Sequence, residues 1–193
     1  MIMNDIELFG EKREIEQIKL QNAKDVLERG LKYHVGDKMK WLSEYDKVCT
    51  WLEDNKRRGL MLFGSNSRGK TVICQKILPP VFKHYLQKEC VTIDAKDLSA
   101  YNSSVFDSWK LWYNPNPIII DDVGVESIAN YYGERHDVFS EVVDMCEKKS
   151  RLLILTTNLT PSEIGERYGL RTLERLKAIV CAIKFQGDSL RHG

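Results

Sequence analysis

The sequence carries almost no excess charge of either sign. It contains 29 lysines and arginines against 28 aspartates and glutamates, which gives a formal net charge of +1 at pH 7. A whole-molecule field that would draw the chain to nucleic acid or to a membrane surface is therefore excluded. Any contact with a polyanion must come from a local patch of basic side chains.

Long hydrophobic runs are absent as well. No stretch approaches the ~20 consecutive apolar residues that span a bilayer. The N-terminal sequence MIMNDIELFGEKREIEQ is too acidic and too interrupted to act as a signal peptide. We therefore expect a cytoplasmic protein that has no membrane partner.

Cysteine pairs and histidine clusters are lacking too. No two cysteines form a C-x-x-C pair, and the 4 histidines do not group near them. This spacing argues against a metal or redox site and is typical of reduced, mostly buried thiols. The cysteines concerned are Cys49, Cys74, Cys90, Cys146 and Cys181.

The N-terminal part of the chain has two helical patterns. Residues 11–33 place a narrow apolar stripe among dense mixed charge, which indicates an amphipathic helix that either packs on the core or docks a partner protein. Residues 39–55 place large apolar side chains at three- and four-residue intervals, as a core-packed helix does. We predict an N-terminal helical appendage at residues 1–45 and one α/β domain at residues 46–193.

From Leu60 onward, short apolar runs alternate with longer helical patterns. This alternation predicts a parallel sheet with crossover helices, and strands that are apolar throughout predict helices on both faces of that sheet. Predicted strands occupy residues 60–63, 90–94, 117–121, 151–157 and 178–185. Predicted helices occupy roughly residues 70–87, 96–112, 134–149 and 161–176.

A glycine-rich segment directly follows the first predicted strand. It reads GSNSRGKT and satisfies the phosphate-loop pattern G-x-x-x-x-G-K-[ST]. The glycines let consecutive backbone N–H groups point at phosphate oxygens, and the helix that begins here adds about half a positive charge at its N-terminus. The predicted nucleotide-binding residues are Gly64, Ser65, Asn66, Ser67, Arg68, Gly69, Lys70 and Thr71.

Two side chains of this loop have predicted roles of their own. Lys70 supplies a positive charge to the β and γ phosphates, and the hydroxyl of Thr71 completes the coordination of Mg²⁺. The loop therefore predicts ATP and Mg²⁺ as ligands.

The strand predicted at residues 117–121 runs into two carboxylates, Asp121 and Asp122. The carboxyl ends of parallel strands line the crevice in which open α/β sheets bind ligands, so we expect these acids near the phosphate loop. Asp121 is the predicted Mg²⁺ ligand. Asp122 is predicted to orient or deprotonate the attacking water.

The strand predicted at residues 151–157 is followed by Asn158. Its amide is predicted to hydrogen-bond the attacking water or the γ-phosphate. Thr160 followed by Pro161 is typical of a helix start, so these two residues are predicted to begin the next helix. Because capping uses residues other than Asn158, the two roles are compatible.

These motifs, together with ERYGLRTLERLKAIVCAIKFQGDSLR, resemble those of AAA+ ATPases of the DnaC-like helicase loader and IstB-like transposition helper group. The resemblance runs from about Trp51 to Arg191. It implies a P-loop NTPase of AAA+ type, with a parallel five-stranded sheet in which an extra strand lies between the phosphate-loop strand and the Asp-bearing strand. It also implies ATP hydrolysis, assembly into rings or spirals, and delivery of another protein to DNA.

By position in the motifs, the resemblance assigns five residues to the ATP site. Lys70 and Thr71 match the Walker A residues, Asp121 and Asp122 match the Walker B pair, and Asn158 matches the sensor 1 residue.

The resemblance also assigns roles to three arginines. Arg175 best matches the arginine finger that completes a neighbouring subunit's site, and Arg171 is its competitor, four residues earlier on the same helical face. Arg191 matches a sensor 2-like arginine that contacts nucleotide. The alternative for both finger candidates is pairing with glutamates of a solvated helix.

Two features depart from the family pattern. Family loops commonly have Gly at the position of Ser67, and a serine constrains the backbone if the loop requires a positive φ, so slow hydrolysis is one expectation. Almost no sequence follows the last predicted strand, so we also expect the helical lid to be minimal or absent.

A nucleic-acid surface is not evident from the residues alone. Aromatic side chains near Lys96 and Lys110 are able to stack bases, but the same spacing describes a core-facing helix, and nearby acids offset the lysines. Binding of single- or double-stranded DNA is therefore implied mainly by the resemblance. The implied partners are a replicative helicase or a transposase, and further copies of the chain in a nucleotide-dependent oligomer.

Three functions compete at this point. The leading one is an ATPase that loads or regulates a DNA-acting partner. A small-molecule or nucleotide kinase would also use a phosphate loop, although the sequence offers no arginine-rich lid. The third is a nucleotide-gated binding module with negligible turnover, which Ser67 keeps open.

Overall fold

Helices and strands alternate along the chain beyond its N-terminal helices. The computed structural model describes residues 14–36, 39–98, 111–126, 129–131 and 134–187. In chain order its elements are α1 (Ala23–Val35), α2 (Ser43–Glu53), β1 (Gly59–Gly64), α3 in three consecutive parts (Val72–Ile77, Leu78–Val81 and Phe82–Leu86), β2 (Val91–Asp94), a 3₁₀ turn (Ala95–Asp97), β3 (Ile118–Val123), β4 (Ala129–Tyr131), β5 (Glu134–His136), α4 (Val138–Lys149), β6 (Leu153–Thr157), α5 (Pro161–Tyr168), α6 (Leu170–Ile179) and β7 (Val180–Phe185).

A five-stranded parallel sheet forms the centre of the molecule, with its strands in the order β2-β3-β6-β1-β7. Strand β6 lies between β1 and β3, because Ile154 pairs with Leu60 on one side and with Ile119 on the other. The predicted AAA+ sheet, with an extra strand between the phosphate-loop strand and the Asp-bearing strand, is confirmed. The carboxyl ends of β1, β3 and β6 therefore meet at one edge.

Buried apolar side chains cover both faces of this sheet. In β1, Leu60 and Leu62 pack in the cluster formed with α1, α2 and α3. Met61 and Phe63 pack in the second cluster, with α4, α5 and α6. Because successive side chains of a strand point to opposite faces, a strand covered on both sides reads as a continuous apolar run.

Helix α3 is wider than a regular α-helix over most of its length. The N–H of Leu78 bonds to the carbonyl of Ile73, five residues earlier. Pro79 and Pro80 lie in the middle of the helix and have no N–H to donate, and wide turns accommodate such an interruption. The predicted helix is confirmed, and it ends where Gln87 adopts a left-handed conformation with φ +54°.

The predicted helix at residues 134–149 begins four residues late. Residues 134–136 form strand β5, which pairs with β4 in an antiparallel hairpin that the sequence did not predict. Helix α4 starts after Asp137, whose side chain accepts a hydrogen bond from the N–H of Ser140 at 3.4 Å.

The predicted helix at residues 161–176 is two helices. Gly169, with φ +89° and ψ +153°, leaves the helical conformation and separates α5 from α6. The predicted start is confirmed, since Thr160 and Glu163 form a capping box ahead of Pro161. Most of the predicted helix at residues 96–112 lies outside the described residues.

Residues 14–22, which precede α1, are not helical, contrary to the prediction of a helix over residues 11–33. This segment runs in an irregular path along the buried side chain of Asn55. The Asn55 Oδ1 accepts from the N–H of Ile18 at 2.9 Å, and its Nδ2 donates to the carbonyl of Glu16 at 2.9 Å. The side chain of Asn55 thus supplies hydrogen bonds to backbone groups that would bond to each other if this segment were a helix.

Helix α1 packs on the core, as one of the two alternatives predicted. Its side chains Val26, Leu27 and Leu31 are buried in the same cluster as β1. The domain boundary at residue 45 stays a prediction. Within the described part of the chain, no helix has both the length and the apolar character to cross a membrane.

Removal of the Asn55 side chain is expected to loosen this N-terminal packing. Asn55→Ala deletes four hydrogen bonds, including one to the carbonyl of Arg58 and one from the N–H of Arg57, and leaves buried backbone groups unpaired. We expect a loss of about 2 to 3 kcal/mol in the free energy of unfolding, measured by urea denaturation. Gln17→Ala, which removes an exposed amide bonded to Asp54, is the control and should change it by less than about 0.5 kcal/mol. Equal effects would contradict this account.

Candidate nucleotide site

The glycine-rich loop connects β1 to α3 in the backbone conformation that the sequence predicts. Gly64 and Gly69 have φ values of +106° and +88°. A Cβ on Gly64 would lie 2.4 Å from the carbonyl oxygen of Phe185, so this position requires glycine for space as well as for φ. The N–H of Ser65 bonds to the same oxygen at 2.9 Å, which anchors the start of the loop on β7.

Ser67 has a left-handed backbone, with φ +59°. The loop therefore requires a positive φ at the position where the sequence departs from the family pattern. For a residue with a side chain, this conformation costs on the order of 1 kcal/mol.

Lys70 directs its ammonium group to three oxygens at the edge of the sheet. Its Nζ donates to the carbonyls of Gly64 at 2.8 Å and Ser65 at 2.7 Å, and to the Oδ1 of Asn158 at 3.0 Å. Burial lowers the pKa of Lys70, and the charges of Asp122 and Asp121 oppose that shift. Phosphate oxygens could replace the carbonyls as acceptors without requiring a new donor.

Asp121 lies beneath the loop, 4% exposed. It accepts a hydrogen bond from Thr156 Oγ1 at 2.6 Å and one from the hydroxyl of Thr71. Burial raises the pKa of Asp121, the two hydroxyls lower it, and the net shift is upward. The structure thus brings together the two residues predicted to bind Mg²⁺.

These residues fit a magnesium ion that is held jointly with a nucleotide. Within the described ranges, no group of three or more His, Cys, Asp or Glu side chains is placed to bind a metal by itself. Mg²⁺ in phosphate sites commonly takes one or two protein oxygens and completes its shell with phosphate and water. Thr71 and Asp121 would hold the ion, which would neutralise charge on the β and γ phosphates.

Asp122 adopts a left-handed backbone with φ +59°, which forms an irregularity in β3 before Val123 pairs again with Thr157 on β6. Its N–H donates to Thr156 Oγ1 at 2.8 Å, and its Oδ1 accepts from the Nδ2 of Asn158 at 3.2 Å. A hydrogen-bonded chain therefore runs from Lys70 through Asn158 to Asp122.

Thr156 is a site residue that the sequence analysis did not single out. Its hydroxyl donates to the side chain of Asp121 and accepts from the backbone of Asp122. The available signal was the pair of threonines, Thr156 and Thr157, that ends an otherwise apolar strand next to the strand that carries the acids.

Arg68 was predicted with the loop as a nucleotide-binding residue, but its side chain points to α2. Its Nε and Nη2 donate to the Oε1 of Glu44 at 3.1 and 2.9 Å, and Glu44 also accepts from the N–H of Gln186 at 3.0 Å. The hydroxyl of Tyr45 donates to the Arg68 carbonyl at 3.0 Å. Helix α2 and the end of β7 thus hold the outer side of the loop.

Glu44 was not predicted as part of this region. Burial raises its pKa, but hydrogen bonds from the backbone and from Arg68 outweigh burial, and the pKa lies below its usual range. In the sequence it looks like an ordinary solvent-exposed acid in the first turn of an amphipathic helix.

The predicted arginines lie away from Lys70 or outside the described residues. Arg175, on α6, pairs with Asp144 and with Glu147, the latter at 3.0 Å. These acids belong to α4, whereas the alternative considered from the sequence was pairing within the finger helix. Arg171 is exposed. Arg191 lies outside the described residues.

A substitution at Asp121 should have opposite effects on stability and on metal use. The pKa of Asp121 is higher in the folded state than in the unfolded state. The protonated carboxyl therefore contributes stability below the unfolded pKa, and this contribution is lost as pH rises through the folded pKa. Asp121→Asn mimics the protonated form, so we expect a higher melting temperature than wild type at pH 8 and no difference near pH 3. The variant should also lose Mg²⁺-dependent tightening of ATP binding. Thermal melts that match wild type at pH 8 would contradict the first expectation.

The architecture resembles that of replication proteins of known structure. The DnaC helicase loader aligns with a TM-score of 0.62 at 15% identity, covering 78% of this chain and 95% of that one. DnaI aligns with a TM-score of 0.56 at 18% identity, covering 90% and 88%. AMPPCP-bound DnaA from Aquifex aeolicus aligns with a TM-score of 0.55 at 16% identity, covering 77% and 49%. No protein-family model matches the chain, and no curated protein matches its sequence.

The chain has the AAA+ P-loop fold that these structures share. The predicted resemblance to DnaC-like AAA+ proteins is thereby confirmed at the level of the fold. The resemblance to transposition helpers stays a prediction.

Proposed function

We propose that this chain binds ATP and Mg²⁺ at the loop of residues 64–71 and uses ATP to load or regulate a DNA-acting partner. The observation that carries the proposal is the hydrogen-bonded chain from Lys70 through Asn158 to Asp122. It connects the loop's cation with an amide and a carboxylate at two other strand ends. A γ-phosphate and a water molecule are the reactants that this set of groups can orient.

Each residue has a proposed task in that reaction. Lys70 compensates charge on the phosphates, and Thr71 with Asp121 holds the metal. Asp122 accepts either a hydrogen bond or a proton from the attacking water. Asn158 fixes the positions of Asp122 and Lys70 relative to each other through its two hydrogen bonds.

The likeness of fold to the DnaC helicase loader favours a replicative helicase as the protein partner and single-stranded or double-stranded DNA as the nucleic acid. A transposase is the second candidate. Action on such partners is proposed to require assembly of several copies of the chain when ATP is bound, in a cytoplasmic setting.

A nucleotide-gated binding module is the one alternative that a specific observation favours. Ser67 is strained at φ +59°, and a strained loop that relaxes when nucleotide binds could serve as a switch without turnover. Phosphate release that stays at the level of the buffer, alongside tight ATP binding, would select this alternative over the ATPase.

The charge of Lys70 tests the proposed ATP site. Lys70→Ala removes charge-assisted hydrogen bonds to phosphate, each worth about 1.5 to 3 kcal/mol, so we expect the Kd for ATP to rise about 10- to 100-fold in a calorimetric titration. Lys76→Ala, which removes an exposed lysine six residues further along the same helix, is the matched control and should bind like wild type. Unchanged affinity in Lys70→Ala, or transfer of phosphate to a metabolite, would contradict the proposal.

A further inference from the structure

The turn that follows Asp122 is tied to helix α5 by a glutamate that the proposed reaction does not use. The Oε2 of Glu126 accepts from the N–H of Gly124 at 2.7 Å, and its Oε1 accepts from the hydroxyl of Tyr168. The Glu126 carbonyl accepts from the Nη2 of Arg167 at 2.6 Å. One residue thus holds both its own turn and the last turn of α5.

Tyr168 is fixed independently of this contact. Its side chain is buried, and its ring centroid lies 4.7 Å from that of Phe139 on α4. The guanidinium of Arg167 lies 5.4 Å from the centroid of the same ring. The hydroxyl of Tyr168 therefore reaches Glu126 from a position set by packing.

A second set of contacts joins the same turn to the end of β6. The hydroxyl of Thr157 donates to the carbonyl of Val123 at 2.6 Å and accepts from the N–H of Leu159 at 3.0 Å. A Cβ on Gly124, whose φ is +110°, would lie 2.8 Å from a methyl carbon of Leu159. The turn has little room to move without carrying its neighbours with it.

We infer that Glu126 and Tyr168 form a positioning contact that transmits the nucleotide state at Asp122 to helices α5 and α6. The inference rests on the proposed function, because it requires ATP to bind beside Asp122. Neither residue contacts the groups proposed to bind ATP or metal.

The position of α6 makes this transmission consequential. Gly169 joins α5 to α6 in a conformation that only glycine adopts easily, and a Cβ there would meet nothing within 4 Å. A shift of the turn at Glu126 moves the end of α5 at Tyr168. Helix α6 begins at Leu170, with only Gly169 between the two helices. Arg171, in the first turn of α6, is therefore the exposed charge whose position follows the state of the ATP site.

Hydrogen–deuterium exchange of residues 161–179 tests the contact. In wild type, saturating ATP and Mg²⁺ should change amide exchange there by about 5-fold or more, the low end of ordinary coupling between sites. In Tyr168→Phe, which keeps the ring packing, and in Glu126→Ala, ATP should bind with wild-type affinity but leave exchange in this segment unchanged. A purely structural role would lower the melting temperature without removing the response.

Two further variants complete the design. Glu126→Gln keeps an oxygen for the N–H of Gly124 and an N–H for the oxygen of Tyr168, so it should restore the response. Ser162→Ala removes an exposed hydroxyl of α5, bonded to Glu166, and should respond like wild type.

The outcomes separate this inference from the proposed function. A Tyr168→Phe variant that binds ATP and shows the full wild-type response overturns the inference alone, as does a wild type that binds ATP without any change in residues 161–179. Failure of the wild type to bind ATP overturns the proposed function and this inference together.

Discussion

The rate of ATP hydrolysis is expected to fall about 10³-fold or more in Arg171→Ala, with ATP affinity unchanged. An arginine supplied by a neighbouring subunit stabilises charge on the transferred phosphoryl group and contributes about 10³ to 10⁵ in rate. We propose that Arg171 is this arginine. Because such an arginine acts on the neighbour's site in the transition state, its removal should lower kcat and leave ATP binding intact. Phosphate release and calorimetric titration on the same preparations measure the two effects.

Arg175 is the matched control for this experiment. The motif favours Arg175 as the finger, whereas its contacts with Asp144 and Glu147 favour a structural role on its own subunit. We expect Arg175→Ala to lose about 1 to 2 kcal/mol of stability and to keep most of its turnover below its melting temperature. Wild-type turnover in Arg171→Ala with loss of turnover in Arg175→Ala would reverse the assignment. Wild-type turnover in both variants would contradict a shared site.

Arg68→Ala should destabilise the protein by about 3 to 5 kcal/mol, because it leaves the carboxylate of Glu44 buried without its cation. Both partners are nearly covered, with side chains 10% and 8% exposed. Without Arg68, the neutral donors described for the Glu44 carboxylate are the backbone N–H of Gln186 at 3.0 Å and the hydroxyl of Ser43 at 3.3 Å. Guanidinium denaturation at pH 7 measures the loss.

The pH dependence of this loss identifies its cause. In wild type the pKa of Glu44 is lowered, so its contribution is present above the unfolded pKa and is lost as pH falls through the folded pKa. The deficit of Arg68→Ala should therefore shrink below the ordinary glutamate pKa of about 4.3. Lys83→Ala, which breaks the exposed pair with Glu89, is the control and should cost less than about 0.5 kcal/mol. A deficit independent of pH would point to lost packing instead.

The central residues of the candidate site were predictable because each lies where the chain leaves an apolar run or in the glycine-rich loop that follows one. Lys70 and Thr71 end the loop after β1, Asp121 and Asp122 lie near the end of β3, and Asn158 follows β6. In a parallel sheet the carboxyl ends of neighbouring strands meet, so placing the strands also places these side chains. No knowledge of side-chain packing is needed for that step.

The support around the loop was not predictable in the same way. Glu44 and Arg68 are 24 residues apart, and neither pattern nor motif connects them. A buried ion pair is a property of tertiary packing, and before folding each partner looks like an ordinary charged surface residue. The same holds for Glu126 and Tyr168, which meet across 42 residues.

Errors in the helices arose where tertiary contacts replaced local hydrogen bonds. The apolar spacing of Ile15, Ile18 and Leu20 suits a helix, yet Asn55 supplies the partners for an irregular segment. Gly169 sits inside an amphipathic pattern that continues on both sides of it, so periodicity alone did not reveal the break.

Molecular mass in solution, measured by light scattering with and without ATP and Mg²⁺, tests the central claim most directly. We expect a small species without nucleotide and a larger assembly of several chains with ATP and Mg²⁺, which Lys70→Ala fails to form. A monomer at every nucleotide concentration, in a preparation that binds ATP, would contradict the proposal that copies of the chain share their ATP sites.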